Sequence, residues 1–519
     1  MIIYRFRGEG TTADITEGLA TRAGQPAYVL SRWLFLRLLG VVYFVAFVSL
    51  ALQITGLVGD QGILPVGGFL QRAHAAYGST AYRLFPSLCW LGASDGMLHA
   101  LAWAGAGLAV LLVAGVAQAP VLLLLWICYL SLAVAGQTFL WFQWDALLLE
   151  TGLLAVLYAP TQLRPSLERE GPPSTAMRWL VWALAFRLTF LSGITKLASG
   201  DPTWRHLTAL DFHFWTQPLP TGPAWYAQWL PEWVHRVMTL AIIAIELLVP
   251  WLIFIPERWA GRWSRRARHV ACALLVLGQL AIALTGNYGF FNLLAIVLCV
   301  ALLDDAVLER VLPLRLAAGD PEPRWKQYAI RGFAPPLALL AALALAREII
   351  QTLPGTRGGG TFANPLLDAV APLRSVNGYG LFRVITTERF EIVIEGGADT
   401  VHWREYQFRW KPGDPARAPA FVAPHMPRLD WQMWFAALNP AGAREWLVPL
   451  LQRLLEGSPE VLALLRDNPF PGAPPRYVRL VYYRYRFRTP AERATGGAWW
   501  QRERVGYLTP PLSLGEPPR

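Results

Sequence analysis

Charge is scarce in this sequence, and one kind of charge is scarcest of all. Only 16% of the 519 residues are Asp, Glu, Lys or Arg and 54% are hydrophobic, against roughly 25% charged in soluble domains. That excludes a single soluble globule. Of the 46 basic residues only Lys196, Lys326 and Lys411 are lysines, so arginine is the default cation. The four cysteines, Cys89, Cys128, Cys272 and Cys299, lie in or beside apolar runs. None falls in the polar C-terminal part, which excludes a disulfide framework there, and no CxxC metal or redox motif occurs. The net charge of +11 comes without a basic-aromatic groove or reader motif, so no nucleic-acid partner is expected.

What charge there is lies unevenly. The first 350 residues hold 25 basic and 20 acidic residues, the last 169 hold 21 and 15, which reads as a membrane domain followed by a water-facing one. Apolar stretches long enough to cross roughly 30 Å of hydrocarbon occur at about 33–58, 97–117, 121–141, 177–198, 234–255, 269–285 and 333–350. Two shorter ones, 145–159 and 290–303, are marginal by length, and with them about nine spans are expected. The first apolar run begins near Trp33 and is too long for a signal-peptide core, so no cleavable leader is expected. With nine crossings and a cytoplasmic N-terminus, the inside loops hold seventeen cations, including Arg5, Arg7, Arg22, Arg32, Arg164, Arg169 and Arg178, then clusters at 258–268 and 310–331. Outside stand Arg72, Arg83, Arg205 and Arg236. The positive-inside rule then puts residues 1–31 in the cytoplasm, 32–350 in the membrane and 351–519 on the far side.

After the Pro/Gly-rich linker 354–360 the period changes. FEIVIE (390–395), WREYQFRW (403–410) and YVRLVYYRYRFR (477–488) alternate as half-buried antiparallel strands do. Residues 430–438, 443–455 and 459–466 carry helical spacing, broken at Gly457–Ser458. The fold class is therefore a multi-pass α-helical membrane bundle followed by a C-terminal α+β domain. This domain has no GxSxG, HExxH or phosphate loop, and His402 and His425 stand apart without a ligand pattern, so no metal or catalytic site is expected in it. Its Tyr and Arg residues suit interface anchors. Trp403, Tyr406, Arg428, Asp430, Trp431, Trp434, Arg484, Tyr485 and Arg486 are the candidates for binding a protein partner.

Ionisable groups at membrane depth point to function or internal pairing. Here they are Asp145, Glu150, Arg187, Lys196 and Glu246, with Gln279 on a further polar stripe. Arg187 and Lys196, nine residues apart, project to opposite sides of one helix, and Glu246 is placed to pair with one of them. Either these charges lock the bundle, or they line a polar cavity in which a desolvated lysine, unlike arginine, can lose its proton and act as a base.

Several long runs together resemble the lipase maturation factor family: GQTFLWFQWDALLLETG (136–152), LSGITKLASGDPTWRHLTALDFHFWTQPLP (191–220), TGNYGFFNLL (285–294), NGYGLF (from 377), TTERFEIVIEG, WREYQFRWKPGDP, PRLDWQMWFAAL and DNPF (to 470). The likeness runs from the first span to about residue 511. It implies a membrane protein that helps secreted lipases or other hydrolases fold and assemble, through its outer domain and without a cofactor. In eukaryotic members that domain is luminal, in the endoplasmic reticulum. The arginine-rich chain, with no Asn-x-Ser/Thr acceptor in its outer domain, looks like a bacterial, inner-membrane member with a periplasmic outer domain. The segment ending in Lys196, with Asp201 and Trp204, is also similar to vitamin K-dependent carboxylase and its relatives. That likeness implies the alternative, a membrane enzyme acting on a quinone or other lipid-soluble substrate with Lys196 as base.

Overall fold

A computed structural model describes residues 27–164, 167, 170–312, 314, 322–352 and 364–515. Arg5, Arg7, Arg22, Arg169, Arg315 and the linker 354–360 lie outside the described residues, as does the side chain of Arg258. Seven helical segments are long and apolar enough to cross a membrane: α1 (Val29–Ala51), α2 (Asp95–Ala114), α3 (Gln118–Ala135), α5 (Thr175–Ala198), α6 (Glu232–Leu247, prolonged by a tight turn so that the segment is Glu232–Phe254), α7 (Arg262–Thr285) and α9 (Arg324–Thr352). The two marginal stretches also fold as helices, α4 (Gln143–Tyr158) and α8 (Phe291–Val300). At about 1.5 Å per residue they are some 24 and 15 Å long, short of the hydrocarbon thickness. Of the nine expected spans, seven are thus long enough by themselves to cross, among the described residues.

Local chemistry marks the helix ends. Ser94 Oγ accepts from the Met97 N–H at the start of α2, and Gly115 ends it with φ +82°, a left-handed turn that glycine adopts freely. Aromatic side chains gather where α6 would leave the hydrocarbon, with Tyr226, Trp229 and Trp233 exposed at one end and Trp251, Trp259 and Trp263 at the other, as membrane-interface belts do.

One end of the bundle is closed by its own loops. The Asp305 carboxylate accepts from the N–H groups of Val29 and Leu30 at 2.9 Å each. Arg32 pairs with Glu170 and Glu322, Lys326 donates to the Ala159 carbonyl, and Ala117 N–H donates to the Leu163 carbonyl. Gln143, the first residue of α4, and Asn287, in the α7–α8 turn, stand at the other end, where they bond the C-terminal part.

That part is α+β. Four strands form an antiparallel sheet in the order β2 (Arg404–Glu405), β1 (Arg389–Gly397), β5 (Tyr477–Phe487), β6 (Trp500–Tyr507); β3 (Gln407–Phe408) and β4 (Leu465–Asp467) form a second pair. Helices α10 (Arg428–Leu438) and α11 (Arg444–Glu456) pack on it. The expected strand 403–410 is split, because Tyr406 turns inward and its two halves join different sheets. The expected helix 459–466 stops at Leu462 and gives way to β4. β1 is buried on both faces rather than alternating, since α10 covers one face and the segment before Pro220 meets the other.

One apolar core runs through both parts, from Phe35 and Leu294 in the bundle to Leu454 and Leu480 in the C-terminal domain. The two regions of the sequence make a single packed body.

Candidate functional site

Several of the family-like runs meet at one place, the seam between the bundle and the C-terminal domain. Both carboxylates of α4 hold chain from that domain. Asp145 takes Arg428 in a two-pronged pair, Nη1 to Oδ2 at 2.9 Å and Nη2 to Oδ1 at 2.8 Å, while Tyr129 donates to Oδ1 at 2.6 Å. Arg428 also donates to the Phe139 carbonyl at 2.8 Å. Five residues on, Glu150 accepts from Tyr379 Oη at 2.7 Å and from Asn377 N–H at 3.2 Å, and its other oxygen pairs with Arg187. Charges removed from water in this way stand only where they are paired; each guanidinium is held through its Nη groups, and the Nε of Arg428 and of Arg187 is buried without a hydrogen-bond partner among the described residues.

Further contacts fix the remainder of the seam. Asn287 presents its amide to backbone, donating to the Ala420 carbonyl at 2.8 Å and accepting from Val422 N–H at 2.8 Å. Asp201 caps the following turn through Thr203 N–H and accepts from Ile385 N–H at 2.6 Å. On α1, Ser49 Oγ lies 2.9 Å from His425 Nδ1 and accepts from Met426 N–H, and Gln53 accepts from Arg428 N–H at 3.0 Å. Burial, aided by the charges of Arg428 and Arg409, pushes the His425 pKa down to about 4. His213, on the short helix Ala209–Thr216, is pushed to about 4 by burial and by Lys196.

A second buried group joins β1 to the bundle loops. Arg389 and Glu391 pair at 2.6 Å with side chains wholly out of water; Lys411 reaches Glu391 at 2.8 Å, and Arg389 donates to the carbonyls of Trp215 and Pro218.

The six intramembrane residues singled out by sequence do not form one cluster. They separate into Asp145 with Arg428, Glu150 with Arg187, Lys196 with Glu246, and Gln279 with Asn292 at 2.8 Å. Arg187 and Lys196 face different helices, α4 and α6. Lys196 spends its three N–H donors on Glu246 Oε1 at 2.8 Å, Glu246 Oε2 at 2.7 Å and the Ser192 carbonyl at 3.2 Å. An ammonium held in this way offers no lone pair to a substrate, which weighs against the base role.

The partner-binding candidates also divide. Tyr406, Arg428, Asp430, Trp431 and Tyr485 are buried within the chain, because each closes a contact of its own. Asp430 accepts from the N–H groups of Trp410 and Lys411, Trp431 donates to the Asn287 carbonyl, and Tyr485 donates to the Gly413 carbonyl. Trp434 is half-buried and donates to the Thr216 carbonyl. Trp403, stacked 3.9 Å under Arg479, and Arg486, paired with Glu492, are partly accessible. Arg484 alone of the nine is exposed. Sequence reasoning missed Tyr129, Asn377, Tyr379, Asp201 and Asn287 as seam residues. All but Tyr129 sit inside the family-like runs, which was the available signal. Among the described residues no group of three or more His, Cys, Asp or Glu side chains is placed to hold a metal.

Comparison with known proteins shows the family. Residues 30–310 match the family described as lipase maturation factor transmembrane domain, and residues 375–510 match lipase maturation factor C-terminal domain. Human lipase maturation factor 2 is 37% identical over 94% of this chain and 83% of its own length. Lipase maturation factor 1 of Bos taurus is 37% identical over 96% and 91%, and human lipase maturation factor 1 is 36% identical over 95% and 91%. The chain belongs to the lipase maturation factor family. No solved structure matches it. In this lipase maturation factor family member, the two matched regions are the two halves that the buried seam makes into one body.

Proposed function

We propose that this chain is a multi-pass membrane maturation factor for secreted lipases, acting as a rigid platform on the outer side of the membrane. The observation that carries the reading is the match of both halves to the family over nearly the whole length of relatives named for lipase maturation. The structure supports the mechanical part. A domain clamped to the bundle by the buried Asp145–Arg428 pair and by the hydrogen bonds of Glu150 and Asn287 presents its outer face in a fixed pose to a client, and preorganisation of this kind lowers the ordering cost of binding.

The topology proposed is nine crossings, with α4 and α8 completing their passage through short non-helical ends. What supports it is that Leu140 and Asn287 touch the C-terminal domain while Ala159 and Asp305 belong to the opposite closed end. The arginine-rich end then faces the cytoplasm of a bacterial inner membrane and the C-terminal domain faces the periplasm. The carboxylase-like alternative, with a quinone or other lipid ligand, is not favoured, since Lys196 is fully engaged.

Co-expression with a secreted lipase tests the reading: enzyme activity per unit of lipase protein should rise when the chain is present. An unchanged value across several lipases would sink it.

A further inference from the structure

Where α10 leaves the seam it forms one wall of a groove of about 360 Å3, within the usual size range of ligand sites. The turn Gln137–Thr138 of the bundle lines one side, Phe435 and Leu438 of α10 and Trp446 of α11 the other. Phe435 and Leu438 are 41% and 42% exposed, large apolar side chains left open beside a buried seam.

The polar groups of the groove are aimed in a particular way. Gln137 Nε2 donates to the Leu64 carbonyl at 2.9 Å and Gln432 Nε2 to the Thr138 carbonyl at 2.6 Å. Each amide is thus pinned through its nitrogen, and its Oε1 has no hydrogen-bond partner among the described residues. Asn439 is pinned the other way, its Oδ1 accepting from Gly442 N–H at 3.1 Å, so its NH2 remains a donor. Gln137 also holds a left-handed backbone, φ +48°, a conformation that a non-glycine residue keeps only where its surroundings impose it and that gathers at working sites. Glu445 is the one charged residue lining the groove, and no Lys or Arg lines it.

A phosphate or anionic headgroup finds no cation here, and meets a carboxylate. Fixed acceptors and a donor set between apolar walls instead match extended polypeptide, whose C=O and N–H groups alternate while its side chains seek apolar contact. We propose that this groove seats an extended, uncharged, apolar stretch of an incompletely folded client lipase. The inference rests on the maturation reading above and names the site and the chemistry of its client contact.

The test uses the intact protein in mild detergent and a short, capped, uncharged peptide of Leu, Phe, Ala and Ser labelled with fluorescein, read by anisotropy. Leu438→Asp and Asn439→Ala change exposed positions, and Val401→Asp, on a remote exposed loop, is the control; thermal unfolding of each variant verifies folding. Both groove variants should weaken peptide binding at least tenfold, Val401→Asp should not, and phosphatidylglycerol in mixed micelles should not compete. Binding unchanged in both groove variants overturns the proposal, as does competition by phosphatidylglycerol that the groove variants abolish. The same variants are then co-expressed with a lipase. Loss of peptide binding together with loss of lipase activation supports the proposal. Loss of peptide binding with lipase activation intact overturns it and leaves the maturation reading standing. Peptide binding by a wild-type protein that activates no lipase overturns the client assignment through failure of the maturation reading itself.

Discussion

Arg428 reaches 283 residues back along the chain to Asp145, and both side chains are out of water. Removing one member of such a pair leaves the other buried and uncompensated, at a cost of about 3–5 kcal/mol. Arg428→Ala should therefore lower the thermal midpoint sharply in detergent. Arg428→Lys should recover only part of the loss, because an ammonium cannot reproduce the two-pronged geometry. The double change Arg428→Met with Asp145→Asn should recover most of it. A single Arg428→Ala variant as stable as wild type contradicts the seam as described. Histidines at and beside the seam add a pH dependence. His425 and His213, both held near 4, bind their protons less readily folded than unfolded, where the value is about 6.5. Their contribution is complete above about 6.5 and is lost as pH falls from there through 4. Unfolding midpoints taken across that window should decline towards acid, and His425→Gln should flatten part of the decline.

Among the elements, α5 stands between two partners. A Cβ on Gly193 would come within 2.9 Å of Glu246 Cβ and Leu247 on α6, so this glycine sets the close approach that lets Lys196 reach Glu246. Gly193→Leu should separate the helices and destabilise the bundle by at least as much as an overpacked core, about 1–3 kcal/mol. Replacing the ion pair as a unit, Lys196→Met with Glu246→Gln, should leave lipase-promoting activity at the wild-type level; loss of that activity in a folded double variant would revive a chemical role for the lysine. At this scale much was legible in advance. Long apolar runs marked the spans, and alternation marked β1 and β5. What stayed hidden has physical reasons. WQRERVGY makes the edge strand β6 with few apolar residues, because an edge strand that faces water needs little burial. Arg428, Asp430 and Tyr485 read as surface residues from their chemistry. Their burial depends on partners elsewhere in the chain, from about 20 residues away for Asp430 to 283 for Arg428, for which a sequence carries no local period.

For the molecule as a whole, the sequence divided the chain into a membrane part and an outer part, and the structure joins them through one core, the Asp145–Arg428 pair and the hydrogen bonds that Glu150 accepts from Tyr379 and Asn377. The seam was foreshadowed only by the runs that resemble the family, several of which cluster there without lying near one another in sequence. Topology can be read directly, since all four native cysteines are buried and contribute little labelling. Leu91 and Leu163 are 80% and 70% exposed. In spheroplasts a membrane-impermeant maleimide should label the Leu91→Cys variant and spare Leu163→Cys until the membrane is opened; the reverse pattern would invert the orientation. The central claim is that this platform brings secreted lipases to their active form. The most direct measurement is the activity per unit mass of a lipase secreted with and without the chain, alongside a folded, membrane-inserted Leu438→Asp variant. A clear rise with the wild-type chain and a diminished one with the variant is the predicted result, and equal specific activity in the presence and absence of the wild-type chain would contradict it.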